Sequence, residues 1–101
     1  LQIQDSSGDW FHAPPIEGTL VVNVADLLSR WTNGLYKSTP HRVVNQSGKE
    51  RLSIVLAFDP NPETYINPVD IFGENEKSLS EPITCGDYLI WRFGKAFSYR
   101  K

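Results

Sequence analysis

The clearest alternation of apolar and polar side chains lies in residues 41–58. An apolar, β-branched run follows His41, a polar loop surrounds Gly48, and an alternating segment extends from Arg51 to Phe58. This pattern predicts a β-hairpin. Since successive side chains of a strand point to opposite faces, the even-numbered residues of 51–58 would form an apolar face that packs on a core. The odd-numbered residues would line a pocket.

A three-residue loop at 47–49 sets the expected register of this hairpin. In that register His41 lies opposite Val55, so His41 and Arg51 share the pocket face, about four residues or roughly 13 Å apart along the ladder. A small dicarboxylate, bound to a metal at the imidazole and to the guanidinium at its other end, would fill this gap. A slip of one residue would place the two side chains on opposite faces of the sheet.

Shorter patterns predict the remaining elements. A strand is expected at 1–5, a turn at 6–9 and a returning strand at 10–13, with a further strand at 19–24. A short helix is expected near 26–32, ending at Asn33-Gly34. The stretch 59–82 is expected to be a solvated acidic loop, or a lid over a pocket mouth. Thr84 and Asp87 have the spacing of a capping box for a helix near 85–99, whose predicted buried stripe comprises Leu89, Phe93, Ala96 and Phe97. Short strands with Gly, Pro and Asn turns indicate a mainly β, antiparallel sandwich or jelly roll.

Composition and charge exclude several classes of partner. The chain carries 10 basic and 12 acidic residues, a net charge of −2, with the basic residues scattered. We therefore expect neither nucleic-acid nor membrane binding, and no run approaches the ~18 apolar residues of a membrane span. The single cysteine, Cys85, weakly favours a reducing, cytoplasmic location. His12 is expected to be a polar strand residue that faces water.

Four segments of the chain together resemble one enzyme family. The run from Asn23 to Val44, the triplet Arg51-Leu-Ser53, and the segments 58–62 and 86–93 closely resemble the C-terminal half of iron(II)- and 2-oxoglutarate-dependent oxygenases of the isopenicillin N synthase-like group. The resemblance implies a double-stranded β-helix, a cupin-like jelly roll of which only the C-terminal portion is present. Residues 1–101 would then be a single domain, the C-terminal part of a catalytic domain whose N-terminal strands and H-x-D motif are missing.

The resemblance also implies roles for individual residues. His41 matches the distal histidine of the iron site, and Arg51 and Ser53 match the pair that binds the distal carboxylate of 2-oxoglutarate. Substrate-pocket walls are expected where side chains share their face: Val43, Val55 and Ala57. The family's other two metal ligands form an H-x-D/E pair, and this chain has none, since position i+2 is Pro14 after His12 and Val43 after His41. We expect that pair upstream of Leu1.

The expected function is an Fe(II)- and 2-oxoglutarate-dependent dioxygenase. Such an enzyme hydroxylates, desaturates or cyclises a small organic substrate with O2 and releases succinate and CO2. The 101-residue chain alone should be inactive, and should need the missing N-terminal part of the same protein or self-associate. Two alternatives stay open. One is a non-catalytic jelly-roll relative that binds a small molecule or a partner. The other is an unrelated structural β-domain in which His41 and Arg51 coincide by chance.

Overall fold

The computed structural model describes residues 1–97, which form two small antiparallel sheets and three helices. The three-stranded sheet has the order β2-β1-β3, and the two-stranded sheet pairs β4 with β5. The elements in chain order are β1 (Gln2–Gln4), β2 (Trp10–His12), α1 (Asp26–Trp31), β3 (His41–Arg42), β4 (Tyr65–Ile66), α2 (Val69–Phe72), β5 (Ile83–Thr84) and α3 (Cys85–Ala96). Within residues 1–97 no helix is both long and apolar enough to cross a bilayer.

The β1–β2 hairpin forms where the turn residues predict it. Asp5 Oδ1 accepts hydrogen bonds from the Ser7 amide, the Ser7 hydroxyl and the Asp9 amide, and Gly8 takes the positive φ of +93° that the turn requires. The bond from the Ser7 side chain is the main cause that lowers the pKa of Asp5. The hairpin fixes the register of the sheet, with Ile3 opposite Phe11.

The hairpin predicted for residues 41–58 is wrong. β3 pairs instead with β1, with Ile3 opposite His41. The loop after β3 is closed by Asn45, whose amide donates to the Lys49 carbonyl at 2.8 Å and whose Oδ1 accepts from the Ser47 hydroxyl at 2.7 Å.

Two segments with strong β patterns, 19–24 and 51–58, also form no strand. A strand needs a neighbour for its ladder, and the large apolar side chains of 51–58 are 84 to 99% exposed. The alternating pattern therefore lacks the partner that would turn it into a strand.

Both predicted helices are present. α1 begins without a side-chain cap and ends at Asn33 and Gly34, with φ of +52° and +82°, as expected for a left-handed C-terminus. Thr84 caps α3: its hydroxyl oxygen accepts from the Asp87 amide at 3.1 Å and its hydroxyl donates to the Asp87 carboxylate at 2.8 Å. The predicted extension of α3 to Tyr99 includes residues outside the described range.

The core joins α1, β4, β5 and α3. Its buried members are Leu27, Ile66, Cys85 and Tyr88, with Trp31, Ile83 and Leu89 packed against them. Two sequence expectations are therefore wrong. The stretch 59–82 is not a plain solvated loop, because it supplies the fully buried Ile66. Of the predicted stripe of α3, Leu89 does pack against the core, but Phe93 and Phe97 are exposed, so the buried side of the helix lies in its first half.

The two sheets are antiparallel, as expected, but the described residues contain more helix than strand, so the mainly β character is not seen in this part of the chain. Two sheets of three and two strands do not by themselves amount to a double-stranded β-helix. That architecture stays a prediction that the resemblance carries.

Candidate functional site

His41 is held at the edge of the three-stranded sheet with one ring nitrogen engaged. Its Nδ1 lies 3.1 Å from the Thr39 carbonyl oxygen. A carbonyl oxygen only accepts, so this contact requires a proton on Nδ1, and in the neutral tautomer that makes it the lone pair lies on Nε2. Metal-binding histidines commonly have this arrangement, in which a backbone carbonyl fixes the tautomer and the ring orientation.

The sheet register places apolar side chains beside His41. Residues directly opposite each other in an antiparallel sheet share a face, so Phe11, Ile3 and His41 form one row across β2, β1 and β3. Ile3 and Phe11 also line a cleft of about 360 Å³ together with the segment 37–40, which directly precedes His41. The imidazole therefore stands at the end of an apolar surface beside a cleft.

Sequence reasoning missed Ile3 and Phe11 as neighbours of His41. Ile3 lies between Gln2 and Gln4, an alternation that marks it as the apolar-face residue of β1. Its pairing with His41 joins residues 38 positions apart, which no local pattern reveals. His12 is exposed, as expected, and lies on the opposite face from His41, opposite Gln2.

The described residues provide one candidate metal ligand, His41. Among residues 1–97 no group of three His, Cys, Asp or Glu side chains is placed to hold a metal ion. An exposed imidazole with a free Nε2 suits Fe(II), but three protein ligands are needed for a 2-His-1-carboxylate site. The described part of the chain supplies the histidine alone.

The structure does not bring Arg51, Ser53, Val55 and Ala57 into a ladder with His41. All four lie in the exposed segment without a strand partner. Arg51 is exposed and makes no hydrogen bond or ion pair with any residue in the range 1–97. Val43 follows β3 directly, two residues beyond His41. The roles assigned to these residues stay predictions.

A second cleft, of about 320 Å³, lies between α1 and α3. Arg92 forms an ion pair with Asp26 at 3.1 Å, and the Tyr88 hydroxyl donates to the same carboxylate at 3.4 Å. Burial, and then the Asp26 charge, raise the pKa of Tyr88. Through this one carboxylate, Arg92 and Tyr88 link α3 to α1.

Cys85 is a buried core residue. Desolvation, and secondarily the Asp59 carboxylate, raise the pKa of its thiol. A nucleophilic cysteine needs a lowered pKa and access to solvent, so Cys85 is not a candidate nucleophile.

Comparison with known proteins gives a consistent result. The model of the 2OG-Fe(II) oxygenase superfamily matches residues 1–60. A probable iron/ascorbate oxidoreductase of Dictyostelium discoideum is 43% identical over 96% of this chain and 30% of its own length. A homoarginine-6-hydroxylase of Glycine max is 46% identical over 69% of this chain and 21% of its own length. Feruloyl CoA ortho-hydroxylase 1 of Arabidopsis thaliana is 34% identical over 95% of this chain and 27% of its own length.

The chain thus spans less than a third of the length of these relatives. No solved structure matches it significantly.

Proposed function

The chain belongs to the 2OG-Fe(II) oxygenase superfamily, and on that premise we propose that it is the C-terminal part of the catalytic domain of a dioxygenase. The complete protein would oxidise a small organic substrate with O2 and 2-oxoglutarate, releasing succinate and CO2. Hydroxylation is the preferred reaction, ahead of desaturation and cyclisation, because several relatives are named as hydroxylases. The observation that carries the proposal is His41, with Nδ1 engaged and Nε2 free, at the end of an apolar row.

His41 is proposed to hold Fe(II) through Nε2. The other two ligands would come from an H-x-D/E pair elsewhere in the protein. The curated relatives are more than three times as long as the stretch they share with this chain, which leaves room for such a pair. When bound, iron supplies the activation of O2 that accompanies oxidative decarboxylation of 2-oxoglutarate.

Arg51 and Ser53 are proposed to bind the distal carboxylate of 2-oxoglutarate. A guanidinium meets a carboxylate with two parallel, charge-assisted hydrogen bonds, and Arg51 has no acidic partner among residues 1–97 to compete for its donors. Ser53 would add a hydroxyl donor from the same side of an extended segment.

The substrate pocket is proposed to combine side chains of the three-stranded sheet with side chains of residues 43–57. Val43, Val55 and Ala57 are the walls expected from the strand alternation of the sequence, which would place them on the face of His41 and Arg51. Ile3 and Phe11 join them because they share the face of His41. These apolar side chains would exclude water from the hydrocarbon part of the substrate. Homoarginine and feruloyl-CoA, which the names of relatives point to, are the first substrates to assay.

The co-substrate role is tested by replacing Arg51 in the full-length protein. Since a hydrogen bond to a charged group contributes about 1.5–3 kcal/mol, Arg51→Ala should raise the Kd for 2-oxoglutarate by roughly 10- to 150-fold. Calorimetric titration with Mn(II) present measures this without turnover. Arg92→Ala is the matched control, because Arg92 pairs with Asp26 on the helices. An unchanged Kd in Arg51→Ala would refute the assignment.

A non-catalytic binding protein is the second candidate, favoured by the lack of a three-ligand cluster within the described residues. Titration of the full-length protein with Co(II) separates the two proposals. A stoichiometric site that is lost in His41→Ala supports the dioxygenase, and the absence of any such site supports the binding protein. A cytoplasmic location is part of the proposal and is supported only by the single, buried cysteine.

A further inference from the structure

Arg42, the neighbour of His41 on β3, ties all three strands of the sheet together. Its Nε donates to Gln2 Oε1 on β1 at 2.8 Å, and its guanidinium carbon lies 4.1 Å from the centroid of the Trp10 ring on β2. Gln2 lies directly opposite Arg42 in the register, and Gln4 lies opposite Trp10. Arg42 thus spans one face of the sheet, and His41 occupies the other.

We propose that Arg42 is a positioning residue for His41, which fixes β3 against β1 and β2 so that the imidazole keeps one orientation. The proposal rests on the proposed function, because it takes His41 as the metal ligand. Arg42 itself would touch neither metal nor substrate.

The shortness of β3 is the physical reason that such a tie matters. β3 has only two residues and lies at the edge of its sheet. Beyond its ladder with β1, the Gln4 amide donates to the Pro40 carbonyl at 2.9 Å. With so few backbone hydrogen bonds, β3 can separate easily from β1. Such fraying at Arg42 would move the adjoining imidazole away from the Thr39 carbonyl.

Arginine suits this role better than lysine does. Its planar guanidinium stacks on an indole face while Nε still donates within the plane, so one side chain contacts both Trp10 and Gln2. A lysine ammonium could remain near the ring but would lose the fixed geometry of the bond to Gln2. Arg42→Lys should therefore preserve part of the effect, and Arg42→Ala none of it.

The test measures the affinity of the metal-free, full-length protein for Co(II) by absorption titration. Loss of groups that orient a metal ligand commonly weakens metal binding by 10- to 100-fold. We expect the Kd for Co(II) to rise roughly tenfold or more in Arg42→Ala, and by a smaller factor in Arg42→Lys. Gln2→Leu, which removes the acceptor and leaves Arg42 in place, should shift the Kd in the same direction and serves if Arg42→Ala does not fold.

Lys95→Ala is the matched control. Lys95 Nζ lies over the Trp91 ring at the same 4.1 Å distance, on α3, so its removal costs a similar surface contact. The Kd of Lys95→Ala for Co(II) should equal that of the wild type. In thermal unfolding, Lys95→Ala and Arg42→Ala should show similar, small decreases in Tm.

The outcomes separate the inference from its premise. If His41→Ala abolishes Co(II) binding but Arg42→Ala and Gln2→Leu bind like wild type, the role of Arg42 is refuted and the proposed function stands. If wild-type binding does not depend on His41, both are refuted. An equal loss of affinity in Lys95→Ala and Arg42→Ala would also refute the inference, because the effect would then be one of general stability.

Discussion

Replacing Leu56 with lysine should keep the 101-residue chain monomeric at concentrations where the unmodified chain associates. Leu56 is one of four large apolar side chains at alternate positions of the segment 51–58, and all four are 84 to 99% exposed: Leu52, Ile54, Leu56 and Phe58. An extended apolar segment without a strand partner readily pairs with a second chain.

The magnitude follows from the exposed side chains. Burial of one such side chain contributes about 1.5–3 kcal/mol, so two copies of the four-residue face offer roughly 12–24 kcal/mol if fully covered. For comparison, association costs about 4–15 kcal/mol in lost translational and rotational freedom. The gain from burial exceeds most of that range. Leu56→Lys removes about 3–6 kcal/mol per symmetric dimer, which corresponds to at least a hundredfold weaker dimer at ~1.4 kcal/mol per tenfold.

Sedimentation velocity over a concentration series measures the association. Leu79→Lys is the control, because Leu79 is also a largely exposed leucine, at 77%, but lies in the loop between α2 and β5. We expect Leu79→Lys to associate like the unmodified chain. The reasoning is refuted if the unmodified chain is a monomer at every concentration, or if the two variants shift the equilibrium equally.

Two further predictions concern the core. Ile66→Ala should lower the free energy of unfolding by about 2–5 kcal/mol, whereas Ile16→Ala, at a largely exposed position, should change it by less than about 0.5 kcal/mol; urea denaturation compares them, and equal losses would argue against the assigned core. The second prediction concerns pH, because the pKa values of Cys85 and Tyr88 are raised from 9.0 and 10.0. The folded state therefore retains protons that the unfolded state releases, so the contribution of these two groups to stability is fully present below pH 9.0 and is lost as the pH rises further. Cys85→Ala should reduce this alkaline slope, and an unchanged slope would contradict the prediction.

Local signals in the sequence were enough to predict α1, α3 and the β1–β2 hairpin. Asn33-Gly34 ends α1, Thr84 caps α3, and each of these devices acts within a few residues of the chain. β4 escaped prediction because Pro62 and Pro68 interrupt its surroundings and only two residues pair. Its importance comes from contacts with α1 and α3, which sequence spacing does not reveal.

The strands predicted from composition at 19–24 and 51–58 failed for a different reason. β-branched and apolar residues favour a strand only where a neighbouring strand and a packed face are available. The alternation in 51–58 is unmistakable, yet alternation does not specify which strand it pairs with. Of the predicted partner strand, only His41 and Arg42 form a ladder, and they pair with β1 instead.

The two halves of the proposed site are therefore determined to different degrees by the described residues. His41 is fixed by a ladder to β1, by a bond to the Thr39 carbonyl and, in our proposal, by Arg42 on the opposite face. Arg51 is fixed by nothing within residues 1–97. If the complete protein supplies a strand beside 51–58, the same added segment would order Arg51 and cover the exposed apolar face. Leu56→Lys in the full-length protein should then weaken 2-oxoglutarate binding although Leu56 does not share the face of Arg51, whereas Leu79→Lys should not. Calorimetry with Mn(II) present would show this, and an unaltered Kd in Leu56→Lys would mean that the arginine is positioned independently of strand pairing.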